Sequence, residues 1–353
     1  MTNERGRQMI DVGLDISGQS IVTYAVTARK QCVFKGQGPS TRAGVRALLE
    51  RMGPGAKLVA FEAGNQLKWI AETLKRIPEV QVHVVHPNEV KWITESRSKT
   101  DRVDAKKLAE LARAGLLPRA VHLVEGPVRE LRELASAREQ LQAKRVALIN
   151  AVRSYVYQEG HRLPEKFFAS AGWAEKLAQV RVSAPLKLII ESFMAAIDAL
   201  LAAERQLTTQ LLAITDPRCA LLETIPAIGP ITSRVLVGAL DEVRRFDDKK
   251  AVANYGGLTP TIYQSGGVTH LGRINRDGRL EVRRVLLQCA HTVARMTRSH
   301  GAQPLQQFYA RLASRRGKKV ATVAVARKLL TTAYGVLKSG QPYDPARLLP
   351  APA

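Results

Sequence analysis

The chain has 353 residues, 45% of them hydrophobic and 24% charged, enough for two or three domains with buried cores. Lysine and arginine number 54 against 31 acidic residues, a formal charge of +23 with an isoelectric point near 10.3; so large an excess repels itself and draws a polyanion by counterion release. Cys32, Cys219 and Cys289 stand far apart with no CxxC pair, which excludes a disulfide framework and a zinc ribbon and fits a reducing compartment.

The N-terminal MTNERGRQMI has no apolar core of the signal-peptide kind. No apolar run is expected to reach the ~18 residues of a membrane span, so a cytoplasmic protein is expected. IDVGLDIS alternates, with Ile10, Val12, Leu14 and Ile16 on one side and Asp11, Gly13, Asp15 and Ser17 on the other, the pattern of a half-buried strand. SIVTYAVTA and QCVFKG follow at hairpin spacing. A helix over 41–52, a strand at KLVAFEAG, a helix over 65–77, a strand at VQVHVVHP closed by Pro87 and a helix over 98–114 complete the first region. Val103, Leu108, Leu111 and Ala112 give that last helix an apolar face. The order βββαβαβα is that of the ribonuclease H-like (RuvC-like) fold, in an α/β domain covering 1–118.

From 119 to 215 the character changes. Val128, Leu131, Leu134, Leu141, Leu148 and Val152 recur at threes, fours and sevens, and after EGHRLPEK a second run carries Leu186, Ile190, Phe193, Ile197, Leu200, Leu207 and Leu211. Two long antiparallel helices are the simple reading, as a hairpin within the chain or a coiled coil between two copies. TDPR opens a mostly helical third region, 216–353. LLETIPAIGPITSRVLVGAL reads helix, tight turn, helix, with Pro226 and Gly229 in the turn. This is either a helix-hairpin-helix whose amides meet a phosphate or a plain helical corner. A Gly-rich loop, GGLTPTIYQSGG, precedes a basic segment: from His270 to Val320 there are twelve Lys or Arg and two acids. Nucleic acid is the leading partner. An acidic membrane surface is second, without an amphipathic anchor or lipidation signal to support it.

Two constellations carry candidate chemistry. Asp15 and Glu62 fall inside predicted strands, where a carboxylate needs a reason. Asp101 and Asp104, spaced i and i+3, share one helix face with Cβ atoms roughly 5–6 Å apart. Taken alone that pair reads as a capped helix start, Ser98 opening a capping box. Together, four hard oxygen ligands without His or Cys suit Mg²⁺, and two such ions clamp a phosphoryl group. Lys99, Arg102, Lys106 and Lys107 would form the phosphate-facing rim. The second constellation is Ser265, followed by Gly266, Gly267, Arg273, Arg276, Arg279, Arg283 and Arg284. A hydroxyl beside glycines and arginines suits attack on a phosphodiester; the bland alternative is a Ser-Gly turn before a strand. His270 is the one histidine near enough in sequence to assist it.

VGLDIS, AFEAGN and SKTDRVDAKKLAEL, followed by IPAIGPITSRVL, RFDDKKAVANYGGLTP and QSGG...LGRINRDGRLEVRRVLL, resemble the DEDD-type insertion-sequence transposases of the IS one-ten and eleven-eleven group, the bridge-RNA-guided serine recombinases. The resemblance covers nearly the whole chain. It departs at Gly64-Asn65, where the family has Thr-Gly, and at Ala227, where it has Gly. It implies recombination between donor and target DNA at a site chosen by a structured RNA. It further implies a 5′-phosphoserine link through Ser265, and Mg²⁺ (two ions, with Mn²⁺ as a substitute) at Asp15, Glu62, Asp101 and Asp104. A dimer assembling to a tetramer would supply the two sites from different subunits. Two other functions stay open on the residues: a RuvC-like structure-selective nuclease using metal-activated water, and a non-catalytic nucleic-acid-binding protein.

Overall fold

The computed structural model describes residues 9–94, 101–265, 268–275, 278–296 and 300–348. Ser98, Lys99, Gly266, Gly267 and Arg276 lie outside them. The chain divides into two compact units, 1–123 and 124–353.

The first unit follows the predicted order. Strands β1 (Ile10–Ile16), β2 (Ser20–Thr27) and β3 (Cys32–Pro39) lead to α1 (Arg42–Glu50), β4 (Lys57–Glu62), α2 (Leu67–Lys75), β5 (Val80–Val85), α3 (Pro87–Thr94) and α4 (Asp101–Ala114). Pro87 opens the short α3 rather than only closing the strand, because proline at a first helical position loses no hydrogen bond. The five strands stand in the order β3-β2-β1-β4-β5. β1 pairs antiparallel with β2 and parallel with β4. This mixed sheet beside helices is compatible with a ribonuclease H-like domain.

Alternation along β1 and β4 separates two cores. Val12, Leu14, Val59 and Phe61 point to a cluster with Val45, Leu48 and Leu49 of α1 and Ile70 and Leu74 of α2. Ala60, Val85 and Val90 meet Leu108 and Ala112 of α4 on the other side. The buried face of α4 is Ala105, Leu108, Ala109 and Ala112. Small residues thus replace Val103 and Leu111 at the centre of the predicted face, and the reason lies in β1. A Cβ on Gly13 would fall 2.0 Å from the Ala105 carbonyl oxygen and 2.7 Å from the Ala109 nitrogen. Alanines on the helix and a glycine on the strand bring the two backbones together.

The second unit begins with α5 (Gly126–Gln158); after α6 (Trp173–Ala178) comes α7 (Ala184–Ala213). The two long helices pack antiparallel within the chain: Arg145 makes a two-pronged ion pair with buried Glu204 at 2.6 and 3.2 Å, and Arg138 donates to Thr208 at 2.9 Å. Val152, Val156, Leu186, Ile190 and Ile197 fill their far end. Then follow α8 (Pro217–Glu223), α9 (Pro230–Leu240), α10 (Lys249–Tyr255), a hairpin of β6 (Pro260–Ser265) and β7 (Val268–Ile274), α11 (Leu280–Arg295), α12 (Gln303–Arg316) and α13 (Lys318–Ser339). The predicted Gly-rich loop is this hairpin: Pro260, Thr261, Ile262 and Tyr263 favour the extended backbone.

The helix α13 is long and apolar enough, by length and composition, to cross a membrane, contrary to the expectation of no such run. Half of it is buried, with Val325, Leu329, Leu330, Ala333 and Tyr334 in the largest core of the unit, and that burial accounts for its composition.

Candidate nucleic-acid-processing site

The closeness of α4 to β1 sets the geometry of the acids. Asp11, Gly13 and Asp15 alternate on the α4 side of β1. Ala105 and Ala109 lie over Gly13, Glu110 and Arg113 act on Asp11, and Asp101 and Asp104 act on Asp15. The helix therefore runs antiparallel to β1, carrying its first turn to the end where Asp15 sits. The parallel register pairs Leu14 with Phe61; one step further sets Glu62 beside Asp15.

Asp15 registers this crowding. Its carboxyl is pushed up to about 6 by burial first, then by the negative charges of Asp101, Asp104 and Glu62. Oδ1 of Asp104 is buried with no hydrogen-bond partner, and an orphaned carboxylate oxygen costs on the order of 1–3 kcal/mol. Among the described residues no group of three or more His, Cys, Asp or Glu side chains is placed to hold a metal ion. The chemistry of the donors nonetheless fits a hard divalent cation: all are carboxylate oxygens, they repel one another, and one lacks any partner.

A groove of about 420 Å³ opens beside the acids, lined in part by Tyr24, Lys35, Gln37, Arg102, Val103 and Lys106. Val22, the β2 partner of Asp15, lines it too. The Lys106 ammonium stands 5.9 Å from the centre of the Tyr24 ring. Arg102 and Lys106, predicted as the rim, thus share a groove with Lys35 and Tyr24.

In the second unit the serine stands on a braced hairpin. Ser265 ends β6 and pairs with Val268. At the hairpin's base Asn254 Oδ1 accepts from Thr259 and from Asn275 Nδ2, each at 3.1 Å. Asn275 N donates to Thr259 O at 2.7 Å, and Arg283 donates to Asn275 O at 2.7 Å. Gly257 and Gly278 touch: a Cβ on Gly278 would lie 2.1 Å from Gly257 N. Beneath them Arg132 of α5 donates to the Tyr255 hydroxyl at 3.1 Å, and Arg245 stacks on Phe246 and Tyr255.

A family profile described as "Transposase IS116/IS110/IS902 family" matches residues 219–306, and a DEDD transposase profile matches residues 12–159. The two fall in order, one over the acids and one over the serine hairpin. The chain belongs to this transposase family. A transposase for insertion sequence element IS1111A of Coxiella burnetii is 23% identical over 274 residues, covering 75% of this chain and 73% of that one. A "Probable family 20 transposase" of Pseudomonas aeruginosa is 25% identical over 340 residues, 95% of this chain and 98% of its own. A pilin gene-inverting protein of Moraxella bovis is 35% identical over 130 residues, 36% of this chain and 39% of its own length.

Four of the arginines that follow Ser265 are described, and their surroundings differ. Arg273 is exposed on β7. Arg279 pairs with Glu281 at 2.7 Å, Arg283 holds the hairpin base, and Arg284 pairs with buried Glu139 of α5. Burial pushes the Glu139 carboxyl up, against the pull of Arg284. In the turn before α9, Ala227 takes a left-handed φ of 67°, and Gly229 caps the helix in extended backbone. Sequence reasoning missed Gly13, Asn254 and Tyr24. The signal for Gly13 was a glycine inside an otherwise regular strand, which marks a close backbone approach.

Proposed function

We propose that this transposase cuts and rejoins donor and target DNA, guided by a structured RNA, through a covalent 5′-phosphoserine on Ser265. The crowding of Asp15 by Asp101, Asp104 and Glu62 carries the reading, since such mutual repulsion is maintained where a cation relieves it. The Ser265 hydroxyl attacks the phosphorus, the Ser–O–P bond forms as the P–O3′ bond breaks, and the proton lost by the hydroxyl ends on the leaving 3′ oxygen. Asp15, Glu62, Asp101 and Asp104 would hold Mg²⁺, with Mn²⁺ as a substitute; the chemistry it supplies when bound is neutralisation of charge on phosphoryl oxygens. Lys99, Arg102 and Lys106 steer the phosphate backbone toward the acids. Gly229, at the turn before α9, meets a phosphate there, while Gly266, Gly267, Arg273, Arg276, Arg279, Arg283 and Arg284 serve the strand at the serine, directly or by bracing the hairpin. The acids of one subunit serve the serine of another, in a dimer that assembles to a tetramer.

The test is adduct formation with Mg²⁺, guide RNA and matched DNA. Wild type gives a denaturation-resistant protein–DNA species, and Ser265→Ala and Asp104→Ala give none. Cleavage without adduct that survives Ser265→Ala replaces this reading with a metal-activated water nuclease.

A further inference from the structure

The second unit holds a cleft that nothing above uses. It lies between α12, α13 and the turn at Pro345–Leu348, with a volume of about 560 Å³. Its floor is apolar, made by Leu305, Leu348 and half-buried Phe308. Its rim carries three cations from three different elements: Arg311 of α12, Lys328 of α13 and Arg347 of the final turn. The Arg311 guanidinium stands 5.9 Å from the Phe308 ring centre. Gln307 adds an amide that both donates and accepts.

The charge around this cleft is one-sided by sequence. From Val282 to Tyr343 there are twelve Lys or Arg and no Asp or Glu. Asp344 stands 3.7 Å from the Arg347 side chain. Cations around an aromatic floor match a ligand with a flat π face and a phosphate at one edge. A volume of this size holds one nucleotide, within the roughly 300–1,000 Å³ of small-ligand sites. A duplex offers its phosphates but keeps its base faces stacked, so only an unpaired nucleotide presents both.

We propose that this cleft binds one unpaired nucleotide of a single-stranded nucleic acid. The base lies on Phe308 with its edge toward Gln307, and the flanking phosphates meet Arg311, Lys328 and Arg347. The site requires no cleavage at Ser265, so adduct formation and cleft binding succeed or fail independently.

The experiment uses the full chain and single-stranded oligomers carrying 5-iodouridine or 5-iododeoxyuridine, with ultraviolet cross-linking and mapping of the tryptic peptide 299–311, which contains Phe308. Cross-linking to that peptide, competed by plain single strands and not by duplex, is the expected result. The ribose or deoxyribose probe that gives the higher yield assigns the source as RNA or DNA. Phe308→Ala lowers the yield about ten-fold or more, and Phe308→Trp keeps it within about two-fold of wild type. The rim double variant Arg311→Gln, Lys328→Gln, at one exposed and one half-buried position, keeps the proposal testable if Phe308→Ala misfolds, and lowers the salt slope of binding by about 1.4. Cross-links confined to other peptides, or an unchanged salt slope in the double variant, would overturn the assignment.

Discussion

Replacing Asp15 by asparagine should make the metal-free protein more stable while removing its response to Mg²⁺. The side chains match in shape, so the change is one of charge. In the fold the Asp15 carboxyl is raised from 3.8 to about 6, so folding favours its protonated form. Stability is lost as pH rises from about 4 to about 6 and stays lost above that. A rise of that size corresponds to about 3 kcal/mol at pH 8; Asp15 is only half-buried, and solvent screening reduces this to on the order of 1–2 kcal/mol. Thermal unfolding in chelator at pH 8 should therefore show the first unit melting roughly 3–8 °C higher in Asp15→Asn than in wild type. At pH 4 the difference should nearly vanish. Ten millimolar Mg²⁺ should raise the wild-type midpoint and leave the variant's within error. A variant less stable than wild type in chelator at pH 8, or an equal Mg²⁺ response in both, would refute the argument from repulsion.

Three other substitutions test the scaffold. Gly13→Ala drives a methyl into the Ala105 carbonyl and should cost about 3 kcal/mol in urea unfolding of the first unit; a loss under about 1 kcal/mol would show that α4 can shift freely. Ala227→Gly relieves a left-handed alanine; relief of about 1–2 kcal/mol less the entropy of glycine leaves a net gain near 0.5–1 kcal/mol, read as a higher urea midpoint. Asn254→Ala removes the acceptor of two hydrogen bonds at the hairpin base and should cost about 1–2 kcal/mol in stability, with a larger proportional loss of adduct rate, measured on the same samples.

Strand alternation placed Asp15 and Glu62 each on the polar side of its own strand, because a strand's period of two leaves little choice; the parallel register of β1 and β4 then sets them on one face. The i, i+3 spacing of Asp101 and Asp104 likewise fixed their shared face. What joins the two pairs is not legible in either motif. It depends on Gly13, Ala105 and Ala109 letting two backbones touch, a tertiary fit that periodicity does not report. Val103 shows the same limit: apolar and in phase, it read as core, yet it lines the groove beside Tyr24. The run of arginines after Ser265 looked uniform, and only the packing of α5 against α11 separated Arg284, paired with Glu139, from exposed Arg273. Ala227 was noted only as a departure from the glycine of the resembling family; its left-handed backbone, which glycine adopts most readily, emerged from the structure.

The most direct measurement is the mass of the tryptic peptide spanning residues 251–273, which contains Ser265, after reaction with matched DNA, guide RNA and Mg²⁺ followed by nuclease digestion. The account predicts a nucleotide esterified to Ser265 through its 5′ phosphate, absent when Mg²⁺ is withheld or Asp104 is alanine. An unmodified peptide alongside cleaved DNA, or the nucleotide on another residue, would contradict it.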